Sequence, residues 1–428
     1  MSIIAIVMLL MALLIFLAVP IGMSIGIGSA VYFFARGTPL ATIPQKMFTT
    51  VDNFTLLAIP LFLFAGRIMN SSGITRRLFA FANVLVGHIK GGLGHVNIVA
   101  SIIFAGMSGS ATADVVGLGT IEIEAMEREG FPKDFAAAVT LASSTIGPIV
   151  PPSIIMVIYG VVAGASIGRL FIAGIVPGLL MGLSLSVLVY FISKKKNFPV
   201  RPFPKPRELF IATKDALPVL MTPVIIIGGI YMGLFTPTEA AMVAVVYSMI
   251  LGFAYRDLTL SILWKDLKQC AVDVGILVFI VGITGAFGWW ISIERIPQVI
   301  TEAIYTLTQN RVVILLLINL VILIEGCVLD ATPIVLIMVP ILLPLLQTMG
   351  IDLVYFGILI SVNTMIGLTT PPVGICLYGV AGVAKIPIER VVRAYLPFLM
   401  VLIVVLLLMI LLPQVVMFLP DLLMGPAR

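Results

Sequence analysis

Long apolar runs separated by short polar turns recur from one end of the chain to the other. They predict helices at about 2–18, 20–35, 54–70, 93–107, 112–128, 135–165, 169–191, 216–234, 237–255, 271–290, 311–327, 331–348, 354–383 and 388–412. The runs are too continuous for a transmembrane β-barrel, whose strands alternate apolar and polar positions. The most polar stretch, 193–215, carries Lys194, Lys195, Lys196, Arg201, Lys205, Arg207 and Lys214 among several prolines. It predicts a non-helical loop, placed in the cytoplasm by the positive-inside rule, with contact to anionic membrane lipid as a second reading. Mixed apolar and basic segments at about 39–53, 74–90 and 256–270 predict helices lying along the membrane surface.

Composition sharpens this pattern. Hydrophobic residues make up 61% of the 428 and charged residues 11%, against about 25% charged in a typical soluble domain. Mean hydropathy is +1.21. These values exclude a soluble enzyme, a nucleic-acid binder, a secreted disulfide scaffold and a disordered chain. An all-α polytopic membrane protein remains. Cys270, Cys327 and Cys376 lack CxxC spacing and read as helix-packing residues. His88 and His95 lack a third metal ligand nearby. Met1–Leu17 has no basic n-region or small-residue cleavage site, so it is expected to be a mature first helix.

The basic stretch divides the chain into near-equal parts that resemble each other: a first repeat over 1–192, the linker 193–215, and a second repeat over 216–428. Residues 106–152 and 326–372, offset by 220, share ten of 47 positions. These are Gly106/Gly326, Ala111/Ala331, Thr112/Thr332, Val115/Val335, Ile121/Ile341, Gly130/Gly350, Ile146/Ile366, Gly147/Gly367, Pro151/Pro371 and Pro152/Pro372. Three glycines and a Pro-Pro pair in register point to internal duplication.

Segments 93–107 and 112–128 are short against the ~20 residues needed to span a bilayer. They are joined by MSGSAT; their counterparts 311–327 and 331–348 are joined by VLDAT. Each pair reads as a re-entrant helical hairpin, over about 93–128 and 311–348. Each repeat then keeps five crossings, and the odd number makes this an inverted-topology repeat. With the linker inside, 18 of the 25 basic residues fall on the cytoplasmic side, and both termini are expected to be periplasmic. Trp289 and Trp290 read as an outer interface anchor.

Two helices are predicted to break at depth, at SSTIGPIVPPS (143–153) in the segment 135–165 and at NTMIGLTTPPVG (363–374) in the segment 354–383. Consecutive prolines remove amide donors and free upstream carbonyls. Unpaired backbone inside a bilayer is costly, so such breaks are expected against protein or a cavity. Freed carbonyls beside hydroxyls suit a small hard cation, and Na⁺ is the expected coupling ion, with two or more bound. The first candidate cation site is Ser108 with Gly147, Val150 and Pro152. The second is Gly326 and Thr332 with Gly367, Thr369 and Thr370.

The second hairpin arms start near Thr112 and Thr332. Helix N-termini there would present N–H groups and partial positive charge to an anionic substrate. Ser108, Ser110, Thr112, Ser143, Ser144, Asp330 and Thr332 are the candidate substrate contacts. Among intramembrane acids, Asp114, Glu239, Asp273, Glu325 and Asp330 are candidates for function; Asp330, at a turn, leads. Glu239 reads as a helix cap, Asp273 as solvated near the inner interface, and Glu122, Glu124, Glu127 and Glu129 as the wet end of the first hairpin.

Several of these segments carry a family resemblance. GMSGSATAD (106–114), GTIEIEAMEREGFPKDFAAAVTLASSTIGPIVPPS (119–153), LDATP (329–333), GLTTPPVG (367–374) and AIPLFLFAG (58–66) resemble the large membrane subunit of TRAP transporters, the tripartite ATP-independent periplasmic family with DctM-like and SiaM-like M subunits. The resemblance runs nearly end to end. It implies a bacterial inner-membrane permease and not an enzyme. It implies Na⁺-coupled import of an organic acid, such as a C4-dicarboxylate or sialic acid, by an elevator motion of both hairpins and both broken helices. It also implies two partners, a separate small four-helix membrane subunit and a periplasmic substrate-binding protein. A stand-alone divalent-anion/Na⁺ symporter of similar architecture is the alternative expectation.

Overall fold

The computed structural model describes residues 3–425, and for residues 105–108 the backbone alone. The regular structure among the described residues is all helical. The first half contains α1 (Ile3–Phe16), α2 (Ile21–Ala35), α3 (Thr42–Val51), α4 (Ala58–Ser71), α5 (Ile74–Val86), α6 (Gly92–Ser108), α7 (Ala111–Ala113), α8 (Gly119–Arg128), α9 (Lys133–Ser144), α10 (Ile154–Ala163) and α11 (Ile167–Lys196). A π turn, Asp114–Leu118, joins α7 to α8. The second half contains α12 (Pro206–Tyr231), α13 (Pro237–Ala254), α14 (Leu260–Ile293), α15 (Ile296–Leu307), α16 (Arg311–Gly326), α17 (Ala331–Thr348), α18 (Leu353–Leu368), α19 (Ile375–Ala384), α20 (Ile388–Leu411) and α21 (Gln414–Met424). Among the described residues, seven helices are long and apolar enough to cross a membrane. The protein is a multi-pass membrane protein.

Helix boundaries follow local chemistry. Ser153, Asp352 and Asn310 cap α10, α18 and α16 by accepting hydrogen bonds from backbone N–H groups. Thr236 and Glu239 form a capping box at the start of α13, with Glu239 Oε2 accepting from the Thr236 amide at 2.8 Å. The cap expected at Glu239 is therefore present.

The offset of 220 carries through to the elements. Adding it to Ala111 and Arg128 gives Ala331 and Thr348, the ends of α17. Adding it to Lys133 gives Leu353, the first residue of α18. The halves do not pack as separate bodies. Helix α9 lies on α20, α10 on α17 and α18, and α19 on α7, α8 and α9. The two broken helices thus interlock around one core.

Several boundaries differ from the sequence expectation. The linker is helical at both ends and open only over 197–205. Lys194–Lys196 form the last turn of α11, where cations complement the helix dipole, and Pro206 opens α12 at a position that needs no N–H donor. The segment 256–270 is not a separate surface helix: from Leu260 it continues into α14 without a break. Trp290 is no interface anchor, because it is fully buried and stacks on Tyr32 at 4.5 Å while its Nε1–H donates to Ser29 Oγ. Helices α15 and α21 were not predicted; both are short and amphipathic, without a run of spanning length.

Candidate functional site

The two helical turns meet in one cavity of about 720 Å³. From the first turn it is lined by Gly109, Ser110, Ala111 and Thr112; from the second by Asp330, Ala331 and Thr332. Helix α4 adds Gly66, Arg67 and Asn70, and α14 adds Asp273, Ile276 and Leu277.

The turns are built alike. Ser110 caps the arm that follows, its Oγ accepting from the Ala113 amide at 3.4 Å and lying 3.0 Å from Thr112 Oγ1. Asp330, at the equivalent position, caps α17 by accepting from the Ala331 amide at 2.8 Å. Each second arm therefore starts at the cavity, where the first-turn N–H groups of a helix are exposed to it.

Each turn also reaches its own break. Gly109 has φ +59°, and a Cβ there would lie 2.9 Å from the Pro152 carbonyl oxygen, so the turn needs both the left-handed backbone and the missing side chain. In the second half the Cys327 carbonyl accepts from the amides of Val373 at 3.2 Å and Gly374 at 3.0 Å. Gly326 and Gly367 approach backbone to backbone.

The cation candidates separate into two neighbourhoods. In the first, Pro152 faces Gly109, and Gly147 lies against the Asp114 carboxylate, where a Cβ would collide with Oδ2. The side chain of Ser108 lies outside the described residues. Val150 is turned toward α11, its side chain filling the space over Gly178. In the second, Gly326 adjoins Gly367. Thr369 and Thr370 both donate their hydroxyls to the Ile366 carbonyl, at 2.8 and 2.7 Å, and Thr369 Oγ1 is 2.6 Å from the Tyr395 hydroxyl. Their oxygens keep lone pairs for a hard cation, so the donor chemistry fits Na⁺. Thr332 lines the cavity two residues beyond the Asp330 cap. Among the described residues no group of three His, Cys, Asp or Glu side chains is placed to hold a metal ion.

Ser143 and Ser144 are not cavity contacts. Both are buried in α9. Ser143 Oγ is 2.6 Å from Asn97 Oδ1, and Ser144 Oγ donates to the Leu141 carbonyl at 2.8 Å. Asp273 is not simply solvated, because it is ion-paired with Arg67. Of the acidic run, Glu124, Glu127 and Glu129 pair with Arg128, Lys133 and Arg201, while Glu122 is buried. The anchoring asparagines were missed. Asn97 donates to Thr140 Oγ1 at 2.7 Å, and Asn363 donates to the Asn319 carbonyl at 2.6 Å, so each α6- or α16-type arm is tied to its broken helix. Their signal was a lone amide inside an apolar run.

Comparison with known proteins decides the family. The model of the tripartite ATP-independent periplasmic transporter DctM component matches residues 7–415. The chain belongs to that family. It is 45% identical over 414 residues to the sialic acid TRAP transporter large permease protein SiaM of Vibrio cholerae, covering 96% of this chain and 97% of that one. It is 42% identical over 377 residues to the C4-dicarboxylate TRAP transporter large permease protein DctM of Pseudomonas aeruginosa, covering 88% of each. The sialic acid permease protein SiaT of Haemophilus influenzae is 40% identical over 413 residues, which are 96% of this chain and 67% of that longer protein. A solved structure, the YdaH transporter of Alcanivorax borkumensis, shares the fold at TM-score 0.64 and 14% identity, over 87% of both chains. The chain is therefore a large TRAP permease of the inner membrane and not an enzyme.

Proposed function

We propose that this permease imports an organic acid by Na⁺-coupled transport, the acid being a sialic acid, a C4-dicarboxylate or a related carboxylate. The observation that carries the reading is the meeting of both helical turns in one cavity of about 720 Å³. Two helix starts, capped by Ser110 and Asp330, direct N–H groups to that space, which suits an anion. Two hydroxyl- and carbonyl-rich breaks adjoin the same turns and suit two Na⁺ ions, one near Gly147 and Pro152 and one near Gly367, Thr369 and Thr370. The named relatives transport acids, which supports the same substrate class.

The repeats are taken as inverted, with both turns re-entrant and both termini periplasmic. Helices α6–α10 and α16–α19 then form a transport unit that moves against the remaining spans as an elevator. A periplasmic binding protein delivers the acid, and a small four-helix subunit braces the scaffold. The longer relative SiaT, of which this chain matches about two thirds, is in keeping with such a second membrane component.

The test is uptake of labelled succinate and N-acetylneuraminate into proteoliposomes holding the permease and its small subunit. The expected result is uptake of one acid that needs both a Na⁺ gradient and the binding protein. Uptake independent of Na⁺ would refute the coupling, and full uptake without the binding protein would favour a stand-alone symporter.

A further inference from the structure

Arg67 on α4 and Asp273 on α14 are joined as an ion pair between Nη2 and Oδ2, and both line the cavity. Their side chains are 33% and 31% exposed, so the pair faces the open space instead of being sealed in the core. Among the described lining residues Arg67 is the one basic side chain, set against the two carboxylates of Asp273 and Asp330. Asp273 has a second partner on its own helix, since its Oδ1 accepts from Gln269 Nε2 at 3.3 Å. It therefore remains held when the guanidinium turns away. Arg67 presents a fork of five N–H donors that matches a carboxylate or sulfonate.

We propose that Arg67 is a direct contact for the substrate's anionic group and that Asp273 is the resident carboxylate it displaces. The inference rests on the anionic-substrate reading and adds the cavity wall opposite the helix starts to it. With the ion pair closed, an incoming anion meets a wall whose formal charges sum to negative. Exchange offsets part of that cost, because one carboxylate replaces another on the same guanidinium and the charge-assisted hydrogen bonds are conserved in kind. The displaced Asp273 then competes for Arg67. That competition weakens binding and speeds release, which a transporter needs as much as capture.

The test uses the permease with its small subunit, purified for binding and reconstituted for turnover. The probes are radiolabelled succinate and N-acetylneuraminate. Binding of neither by the unaltered protein would sink the anionic-substrate reading and this inference with it. Where one binds, Arg67→Gln raises Kd roughly tenfold, and Arg67→Lys recovers part of the loss. Asp273→Asn lowers Kd severalfold and slows turnover, because nothing displaces the substrate. Equal Kd in the unaltered protein, Arg67→Gln and Asp273→Asn, at matching thermal midpoints, overturns the proposal. So does a Kd restored to the starting value in the double variant, which is what a purely structural ion pair would give.

Discussion

Gly326 and Gly367 touch through their backbones: a Cβ added to Gly367 would lie 2.6 Å from the Gly326 Cα, and one added to Gly326 would lie 2.9 Å from the Gly367 Cα. Neither obstacle is a flexible side chain, so neither can move aside cheaply. Gly326→Ala or Gly367→Ala should destabilise the protein by about 1–3 kcal/mol through overpacking. The check is the thermal midpoint of the purified protein. Gly275→Ala is the control, because nothing lies within 4 Å of a Cβ there; its midpoint should hold or rise slightly with the better helix propensity of alanine.

Asp330 has two separable roles, as helix cap and as negative charge. Asp330→Ala should lose about 1 kcal/mol of stability with the cap. Asp330→Ser should keep it, since Ser110 fills the equivalent position in the first half. If the charge attracts a coupling cation, Asp330→Ser will be stable yet need more Na⁺ for half-maximal uptake. A Na⁺ titration matching that of the unaltered protein would confine Asp330 to capping.

Thr332→Val and Thr369→Val should each weaken Na⁺ activation of uptake while leaving the fold intact. Thr369→Val also strips the Tyr395 hydroxyl of its partner at 2.6 Å. That variant should therefore cost on the order of 1 kcal/mol more in stability than Thr332→Val. Unchanged Na⁺ activation in both variants would remove these hydroxyls from the second cation site.

The parts of this architecture that were legible in the sequence are those written in local chemistry. Pro151–Pro152 and Pro371–Pro372 stop a helix wherever they stand, and Ser110 and Asp330 mark helix starts by residue type. Both marks recur at the fixed offset of 220 residues. The Arg67–Asp273 pair was not legible, because 206 residues separate the partners and either one alone reads as a charge near a helix end. Trp290 was misread for a related reason. An aromatic next to Glu294 and Arg295 has the local look of an interface, but Ser29 and Tyr32, far back in the chain, draw it inward. The extent of the linker is not legible from its prolines, because a proline marks a helix start as readily as a break, and Pro206 stands at a start.

The linker supplies the most direct test of orientation. Val200 lies in the open segment between α11 and α12 and is 46% exposed. Nearby, Phe198 packs against Phe131 and Phe135 at 5.1 and 4.8 Å, and Arg201 pairs with Glu129, so the segment is docked on the outer end of the first pair of hairpin arms. The three native cysteines are all buried, and an impermeant maleimide should leave them unlabelled. Val200→Cys should then be the one reactive position. It is expected to label in inverted membrane vesicles and to stay unlabelled in intact cells, because the basic residues around it favour the cytoplasmic face. Labelling in intact cells with none in inverted vesicles would reverse the orientation, put both termini in the cytoplasm, and turn the first helical turn toward the periplasm.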